Sequence, residues 1–234
     1  MTPVSSTRLV LCSHGTRSRM GAARVSGLVR AVAEAMPSVG VREAHVDVHP
    51  PYLDDVITPG SVVVPLLLAP GHHVHADITG AASRVNAHVT APLGPDRLLT
   101  SLLSSRLDQL VRPLAPRDVI VLAAAGSSVR GSELATREVA RNLSVRLGRT
   151  VYVGYGAACE PRLDDLVARL RAVHPGQRIV AASYLLAPGH FQNRVLACGA
   201  DDVTAPLLDA ETPDPRLVEL VVRRYLDGSL AVAV

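Results

Sequence analysis

The chain has no tryptophan, a single phenylalanine and only three cysteines among its 234 residues. Aromatic residues make up 3% and hydrophobic residues 48%, so the core must be aliphatic, which suits helices packed on a Val- and Leu-rich sheet. The cysteines lie far apart and form no CxxC pair. This spacing excludes a thiolate metal cage and a disulfide framework, and it indicates a reducing, cytoplasmic location.

Long apolar runs and clusters of one charge are also missing. No stretch near the amino terminus is long enough for a signal peptide or a membrane span, so we expect no membrane association. The formal net charge of +3 is spread along the chain without interleaved aromatic residues, which argues against nucleic-acid binding. An Arg-rich surface of this kind suits a small polyanionic ligand.

An internal duplication is the clearest positive feature of the sequence. Two segments recur about 115 residues apart, namely LLAPGH at 67–72 and 185–190 and VTAPL at 89–93 and 203–207. VLCSHG near the amino terminus returns in the same way as VLAAAG. The repeat predicts two related halves, residues 1–114 and residues 115–234.

Short apolar runs alternate with stretches of helical periodicity in both halves. The predicted strands are 9–12, 44–48, 62–68 and 88–90 in the first half and 119–123, 151–154, 179–186 and 203–204 in the second. Apolar residues recur at helical spacing over 22–35 and 134–147. This alternation predicts an α/β fold of two similar halves, each a parallel β-sheet flanked by helices.

Polar residues follow three predicted strands of the first half. Ser13 and His14 come after the first strand, Asp47 lies at the end of the second and the His72–His75 cluster follows the third. Ligands of open α/β sheets bind outside the carboxyl ends of the strands, so these residues are candidates for one site.

The two halves differ at these candidate positions. The second half has Ala125 where the first has His14, Ala157 where it has Asp47, and Phe191 where it has His73. Residues shared by both copies are best explained by the fold, and polar residues present in one copy are candidates for function. His72 recurs as His190, which favours a turn or capping role for it.

Two histidines and one carboxylate with open positions could hold a divalent cation without saturating it, as is needed when the metal must later leave. His73 and His75 lie in a starting helix, where one should face the site and the other point sideways. His45, His88 and His174 are interpreted as structural or exposed residues.

The segments Ser13–Arg17, Asp47–Leu53 and Pro70–Ile78 resemble the sirohydrochlorin chelatase family, the class II chelatases, in its long form of two fused halves. The resemblance extends over essentially the whole chain. It implies that His14 and His73 are catalytic residues and metal ligands. Asp47 matches a position that usually holds Glu, and it would complete the metal site.

The resemblance also implies the reaction, which is insertion of Fe²⁺ or Co²⁺ into sirohydrochlorin with loss of two pyrrole protons and no organic cofactor. Ser13, Arg17, Arg19 and His75 are candidate contacts for this tetrapyrrole and its carboxylates. The second half would carry no metal site and would form the other wall of a cleft. Because fused halves replace a homodimer, we expect a monomer.

Two other functions share features of this sequence. Histidine phosphatases carry Arg-His-Gly after their first strand, but Ser13 replaces that arginine and the duplication would stay unexplained. A non-catalytic metal or tetrapyrrole carrier would have the same ligands and differ only in turnover. Within the chelatase interpretation we favour iron, for sirohaem, because no cobalt-specific feature accompanies the site, and cobalt, for cobalamin, is the alternative.

Overall fold

A computed structural model describes residues 8–69, 71–128 and 131–232, except for the side chains of residues 72–75 and 232. The strands are β1 (Arg8–Ser13), β2 (Gly40–His45), β3 (Val62–Pro65), β4 (His88–Val89), β5 (Val119–Ala124), β6 (Val151–Tyr155), β7 (Ile179–Tyr184) and β8 (Asp202–Val203). The helices are α1 (Arg19–Ala35), α2 (Leu53–Val56), α3 (His72–Arg84), α4 (Arg97–Asp108), α5 (Ser132–Leu147), α6 (Leu163–Val173), α7 (His190–Leu196) and α8 (Pro215–Val232).

The strands form two sheets of the same topology. The first has the order β2-β1-β3-β4 and the second the order β6-β5-β7-β8, and the strand pairs in both are parallel. Helices flank both sheets. This arrangement confirms the predicted α/β fold of two similar halves.

The cores are aliphatic, as the composition predicted. The residues of β1 from Leu9 to Cys12 are fully buried, which is typical of a central parallel strand covered on both faces. On one face Val10 and Cys12 pack with Ile78 of α3. In the second sheet Val121 of β5 packs in the same manner with residues of α6 and α7.

The chain divides into two compact units, each of which contains one sheet. The first unit runs to Leu67, continues over His72–Leu93 and includes the chain from Ala210 onwards. The second unit is built from Gly94–Asp209 and a short segment around Leu68. Helix α4 therefore lies in the second unit although it precedes residue 114, and α8 lies in the first unit although it ends the second half.

Helix α8 covers part of the first sheet, where it packs on β3 and β4 and against α1. Its buried positions recur every three or four residues, at Leu217, Leu220, Val221, Tyr225 and Gly228. In the second unit α4 packs on α5 and β7. Arg106 of α4 is buried there and donates to the Leu207 carbonyl at 2.9 Å and to the Asp209 carboxylate.

Several predicted strands have different bounds in the structure, and β2 begins at Gly40 instead of residue 44. The strand predicted over 44–48 is β2, which ends at His45, where the backbone N–H donates to the Pro51 carbonyl at 2.9 Å. The strand predicted over 62–68 ends at Pro65, and the Leu67 carbonyl accepts from the Leu93 N–H at 2.9 Å. In the part of the chain that the structure describes, no helix is long and apolar enough to cross a membrane.

Candidate metal site

The carboxyl ends of three strands of the first sheet meet at one edge, because β1 lies between β2 and β3 and runs parallel to both. Ser13 pairs with His45 at the last position of the β1–β2 register, and β3 ends at Pro65. His14 follows β1 directly and Asp47 lies two residues beyond β2. The structure therefore places His14 and Asp47 at the same edge.

Backbone contacts hold His14 and Asp47 together. The Asp47 N–H donates to the His14 carbonyl at 3.1 Å. The next residue, Gly15, has φ +92°, and a Cβ placed on it would lie 2.2 Å from the Asp47 carbonyl oxygen. Only glycine is compatible with this approach. Because the backbone is fixed and both side chains are exposed, the imidazole and the carboxylate are available to a ligand.

The chain turns sharply after Asp47. Its Oδ1 atom accepts from the Val48 N–H at 2.6 Å, and the His49 N–H donates to the Asp47 carbonyl at 3.0 Å. Val48 has φ +76°, a conformation that is costly for a β-branched residue and is concentrated at functional sites. The second unit has the same turn, with φ +58° at Ala158, so this conformation belongs to the shared fold.

Ser13 is buried, and its hydroxyl contacts other protein groups. The Ser13 Oγ lies 2.8 Å from His45 Nδ1 and accepts from the Gly15 N–H at 3.2 Å. The role of Ser13 in contacting the tetrapyrrole, predicted from the sequence, stays a prediction. The described contacts instead connect Ser13 to the turn around His14.

His45 was interpreted as structural or exposed, and it is buried at the centre of a polar cluster. Its Nε2 atom lies 3.5 Å from Glu43 Oε1, which also accepts from the Ser26 hydroxyl at 3.0 Å. Burial, with a smaller contribution from the adjacent His49, lowers the pKa of His45 to about 4, so the ring is neutral at neutral pH. The period-2 pattern of β2, which puts Glu43 and His45 on one face, was the sequence signal for this cluster.

Arg17 and Arg19 lie where the chain enters α1, and both are exposed. Ser18 caps this helix, and its hydroxyl accepts from the Gly21 N–H at 3.1 Å. The amino end of a helix attracts anions, and two arginines beside it add positive charge. This placement suits the predicted contacts with carboxylates, which stay predictions.

His73 and His75 lie in the first turn of α3, which starts at His72 after the end of β3. Ile78 and Ala81 of the same helix are buried against the first sheet. The side chains of residues 72–75 are outside the described part of the structure, so the choice between His73 and His75 stays a prediction. Among the side chains that are described, no three His, Cys, Asp or Glu residues converge on one point.

The second unit repeats the backbone of this site without its polar side chains. Gly126 has φ +86°, a Cβ on it would lie 1.9 Å from the Ala157 carbonyl, and the Ala157 N–H donates to the Ala125 carbonyl at 2.8 Å. The register of β5 with β6 places Ala124 opposite Tyr155, as Ser13 lies opposite His45. Ala125 and Ala157 thus stand where the first unit has His14 and Asp47.

The second unit also differs at the position that corresponds to His73. Phe191 there is partly buried and packs on the aliphatic core, and its ring centroid is 5.4 Å from that of the exposed His190. These contacts are those of a structural side chain. Nothing in them points to a metal ligand at this position of the second unit.

Comparisons with known proteins agree with this fold. A protein-family model described as CbiX matches residues 8–110 and again residues 119–228. The chain is also 28% identical, over 113 residues, to the chloroplastic sirohydrochlorin ferrochelatase of Arabidopsis thaliana. That alignment covers 42% of this chain and 50% of the relative, so it spans about half of the curated protein.

Solved structures share the fold over almost the whole chain. SirB from Bacillus subtilis with Fe³⁺ superposes with a TM-score of 0.77 at 18% identity, covering 96% of each chain. SirB from Bacillus subtilis subspecies spizizenii in complex with cobalt gives 0.72 at 16% identity, again over 96% of each chain. CbiX, described as the terminal enzyme of sirohaem biosynthesis in denitrifying bacteria, gives 0.66 at 19% identity, covering 97% of this chain and 99% of that one.

Proposed function

The chain belongs to the CbiX family, and from this premise we propose that it is a sirohydrochlorin chelatase, a lyase that inserts Fe²⁺ into sirohydrochlorin and releases two protons. The observation that carries the proposal is the pairing of exposed His14 and Asp47 at the carboxyl edge of the first sheet. The helix that follows β3 begins with histidines. The ferrochelatase among the relatives supports the substrate.

In this proposal His14, His73 and Asp47 bind the metal substrate before it is transferred. Imidazole nitrogen and carboxylate oxygen are suitable ligands for Fe²⁺ and Co²⁺. Three protein ligands leave coordination positions that the nitrogens of the tetrapyrrole can take, so the metal can leave the protein stepwise. A neutral imidazole can also accept a pyrrole proton, because its ordinary pKa lies close to neutral pH.

The carboxylates of sirohydrochlorin need cationic partners. We propose that Arg17 and Arg19 supply them, together with the backbone N–H groups at the start of α1, and that Ser13 and His75 lie near the bound ring. The 115–234 half carries no metal site in this proposal, because Ala125 and Ala157 replace the ligands. We further propose that the protein acts as a cytoplasmic monomer and needs no organic cofactor.

Cobalt is the second candidate metal. SirB has been solved with Fe³⁺ and with cobalt on the same fold, which supports an exchangeable metal. Affinity of nitrogen and oxygen sites rises from Fe²⁺ to Co²⁺, so selection in a cell depends on supply and geometry. We propose iron as the physiological substrate, and a cobaltochelatase of cobalamin synthesis is the alternative.

An anaerobic absorbance assay tests the proposal. Sirohydrochlorin is mixed with Fe²⁺ or Co²⁺ at catalytic concentrations of protein, and the free-base spectrum is followed against a reaction without protein. We expect many turnovers. The ratio of the insertion rate with Fe²⁺ to that with Co²⁺ identifies the preferred metal. Stoichiometric binding without turnover would contradict the proposal and would identify a metal or tetrapyrrole carrier.

A further inference from the structure

A chain of buried and partly buried polar groups leads from α1 to the turn that carries His14. The Ser26 hydroxyl donates to Glu43 Oε1 at 3.0 Å, the Glu43 carboxylate faces His45 Nε2 at 3.5 Å, and His45 Nδ1 contacts the Ser13 hydroxyl at 2.8 Å. The chain ends where the Ser13 Oγ accepts from the Gly15 N–H at 3.2 Å. We call these groups the Ser13 relay.

The relay has a defined direction of hydrogen bonding. Because Nε2 of His45 faces a carboxylate, we assign the proton to it, and in this tautomer Nδ1 accepts from the Ser13 hydroxyl. The Ser13 oxygen is then free to accept from Gly15, which closes a small turn with His14 at its centre. His45 thereby fixes the rotamer of Ser13, and Ser13 fixes the peptide that carries His14.

The second unit shows that the backbone of this turn does not need the relay. Ala124, Val153 and Tyr155 occupy the places of Ser13, Glu43 and His45 in the equivalent strand register. The turn keeps its form all the same, with φ +86° at Gly126 in place of +92° at Gly15.

Retention of the relay in the first unit therefore needs a reason other than folding. Burying Ser13 and His45 is costly unless each is hydrogen-bonded, and apolar residues of similar shape are often equally stable or more so. Within this chain Ser13, Glu43 and His45 occur in the unit whose turn centres on a histidine. Ala124, Val153 and Tyr155 replace them in the unit whose turn centres on Ala125.

We infer that His45 and Ser13 are positioning residues for metal binding. The turn forms without them, and their hydrogen bonds add rigidity to the peptide of His14, so that its imidazole meets the metal without rearrangement. This inference rests on the proposed function, since it assumes that His14 is a ligand. A fixed ligand loses less freedom on binding, so the relay acts on metal affinity and on the KM for metal. Removing a group that orients a ligand typically lowers metal affinity by about 10- to 100-fold.

The variants that test the inference are Ser13→Ala, which installs the residue of the second unit, and His45→Leu, which removes the acceptor. His45→Asn is the rescue variant, because its Oδ1 atom can replace Nδ1 as the acceptor for Ser13. Ser61→Ala is the matched control. Ser61 is a buried serine of the first unit whose Oγ accepts from the Thr58 N–H at 3.2 Å, and it lies at the amino end of β3, away from the carboxyl edge.

Titration of each variant with Co²⁺ alone gives its metal affinity, and thermal unfolding gives its Tm. Steady-state assays then give kcat and the KM values for the metal and for sirohydrochlorin. We expect Ser13→Ala and His45→Leu to weaken Co²⁺ binding and raise the KM for metal by about 10-fold or more, with the Tm nearly unchanged. His45→Leu, which removes no proposed tetrapyrrole contact, should also leave the KM for sirohydrochlorin nearly unchanged. His45→Asn should recover most of the affinity, and Ser61→Ala should bind Co²⁺ as the wild type does.

Wild-type Co²⁺ affinity in Ser13→Ala and His45→Leu would overturn the inference, and so would a loss that follows the Tm and also appears in Ser61→Ala. Failure of the proposed function looks different, because the wild-type protein would then bind Co²⁺ without metallating sirohydrochlorin. The Co²⁺ titrations thus judge the relay independently of turnover.

Discussion

The two described residues of the proposed metal site, His14 and Asp47, combine exposed side chains with a fixed backbone. Exposure leaves the imidazole nitrogen and carboxylate oxygen open to a metal, and the hydrogen bond between the two backbones sets their spacing. The second unit has the same backbone with Ala125 and Ala157. This internal comparison separates the residues needed for the turn from those available for chemistry.

The ligand assignment predicts a sharp asymmetry between the two halves. His14→Ala and His73→Ala should each lower kcat/KM for metal insertion by about 100-fold or more, and Asp47→Ala should weaken metal use more than tetrapyrrole binding. His190→Ala is the control, because His190 occupies the repeat position of His72 on the exposed start of α7. Steady-state kinetics with unchanged Tm provide the measurement, and equal damage by His190→Ala would refute the asymmetry.

Gly15 should tolerate no side chain. Gly15→Ala places a Cβ 2.2 Å from the Asp47 carbonyl at φ +92°, so we expect a loss of about 2 kcal/mol or more in unfolding free energy and a loss of Co²⁺ binding. Gly60→Ala has a similar φ of +75° with nothing within 4 Å of the added Cβ, and should lose only about 1 kcal/mol. Urea unfolding compares the two, and equal losses would show that the close approach is unimportant.

His45 should make the unfolding free energy decrease as the pH falls below neutral. Its pKa is lowered from 6.5 to about 4 in the folded protein, so between these values the unfolded chain binds the extra proton. Unfolding free energy should therefore fall as the pH decreases from 6.5 to 4, by up to about 3 kcal/mol. Urea unfolding at several pH values measures this slope, and His45→Leu should flatten it. An unchanged slope in that variant would assign the effect to other groups.

At the scale of secondary structure, helix packing determines which glycines are replaceable. Gly228 of α8 lies so close to the first sheet that an added Cβ would be 2.6 Å from Thr90 Cγ2 and 2.9 Å from Val62 Cγ1. Gly80 of α3 is open by comparison, since an added Cβ would meet only the end of the Arg84 side chain at 3.9 Å. Both positions are helical, so intrinsic propensity favours alanine equally at each.

The two glycines should therefore respond in opposite directions. We expect Gly80→Ala to raise the unfolding free energy by about 0.5–1 kcal/mol through helix propensity. Gly228→Ala should lower it by about 1–3 kcal/mol, because overpacking against β3 and β4 outweighs the propensity gain. Chemical denaturation of both variants gives the comparison, and stabilisation by Gly228→Ala would mean that α8 does not pack this closely on the sheet.

At the scale of the whole molecule, the two compact units do not follow the order of the chain. Helix α4 precedes residue 114 in the sequence but packs in the second unit. Helix α8 lies in the second half of the sequence but packs in the first unit. The first sheet therefore acquires part of its cover only when the last residues of the chain are present. Each unit depends on a helix from the other half of the sequence.

Deleting residues 210–234 tests this dependence. The first unit would lose the buried side chains of Leu217, Leu220 and Val221, and we expect its stability to fall by about 5 kcal/mol or more. Amide hydrogen exchange in β3 should become fast, while the second unit stays protected. Leu230→Ala, at a position 71% exposed, is the control and should change nothing. Unchanged protection of β3 after the deletion would show that α8 is dispensable.

Much of this protein could be predicted from local features of its sequence. The repeated LLAPGH and VTAPL segments indicate the duplication. Short Val- and Leu-rich runs alternate with segments of 3.6-residue periodicity, and this alternation predicts parallel sheets flanked by helices. Differences between the copies single out His14, Asp47 and His73. These features depend on neighbours in sequence and on strand order, so they are readable without coordinates.

The tertiary structure decided what depends on contacts between distant residues. The Ser13 relay joins Ser26, Glu43 and His45 to Ser13 across two strands and a helix. The period-2 pattern of β2 puts Glu43 and His45 on one face, but it does not tell whether that face is buried. The same is true of the end of β2 at His45, and of the packing of α4 in the second unit and of α8 in the first. Hydrogen-bond partners and packing partners far along the chain determine them, and only the folded molecule brings those partners together.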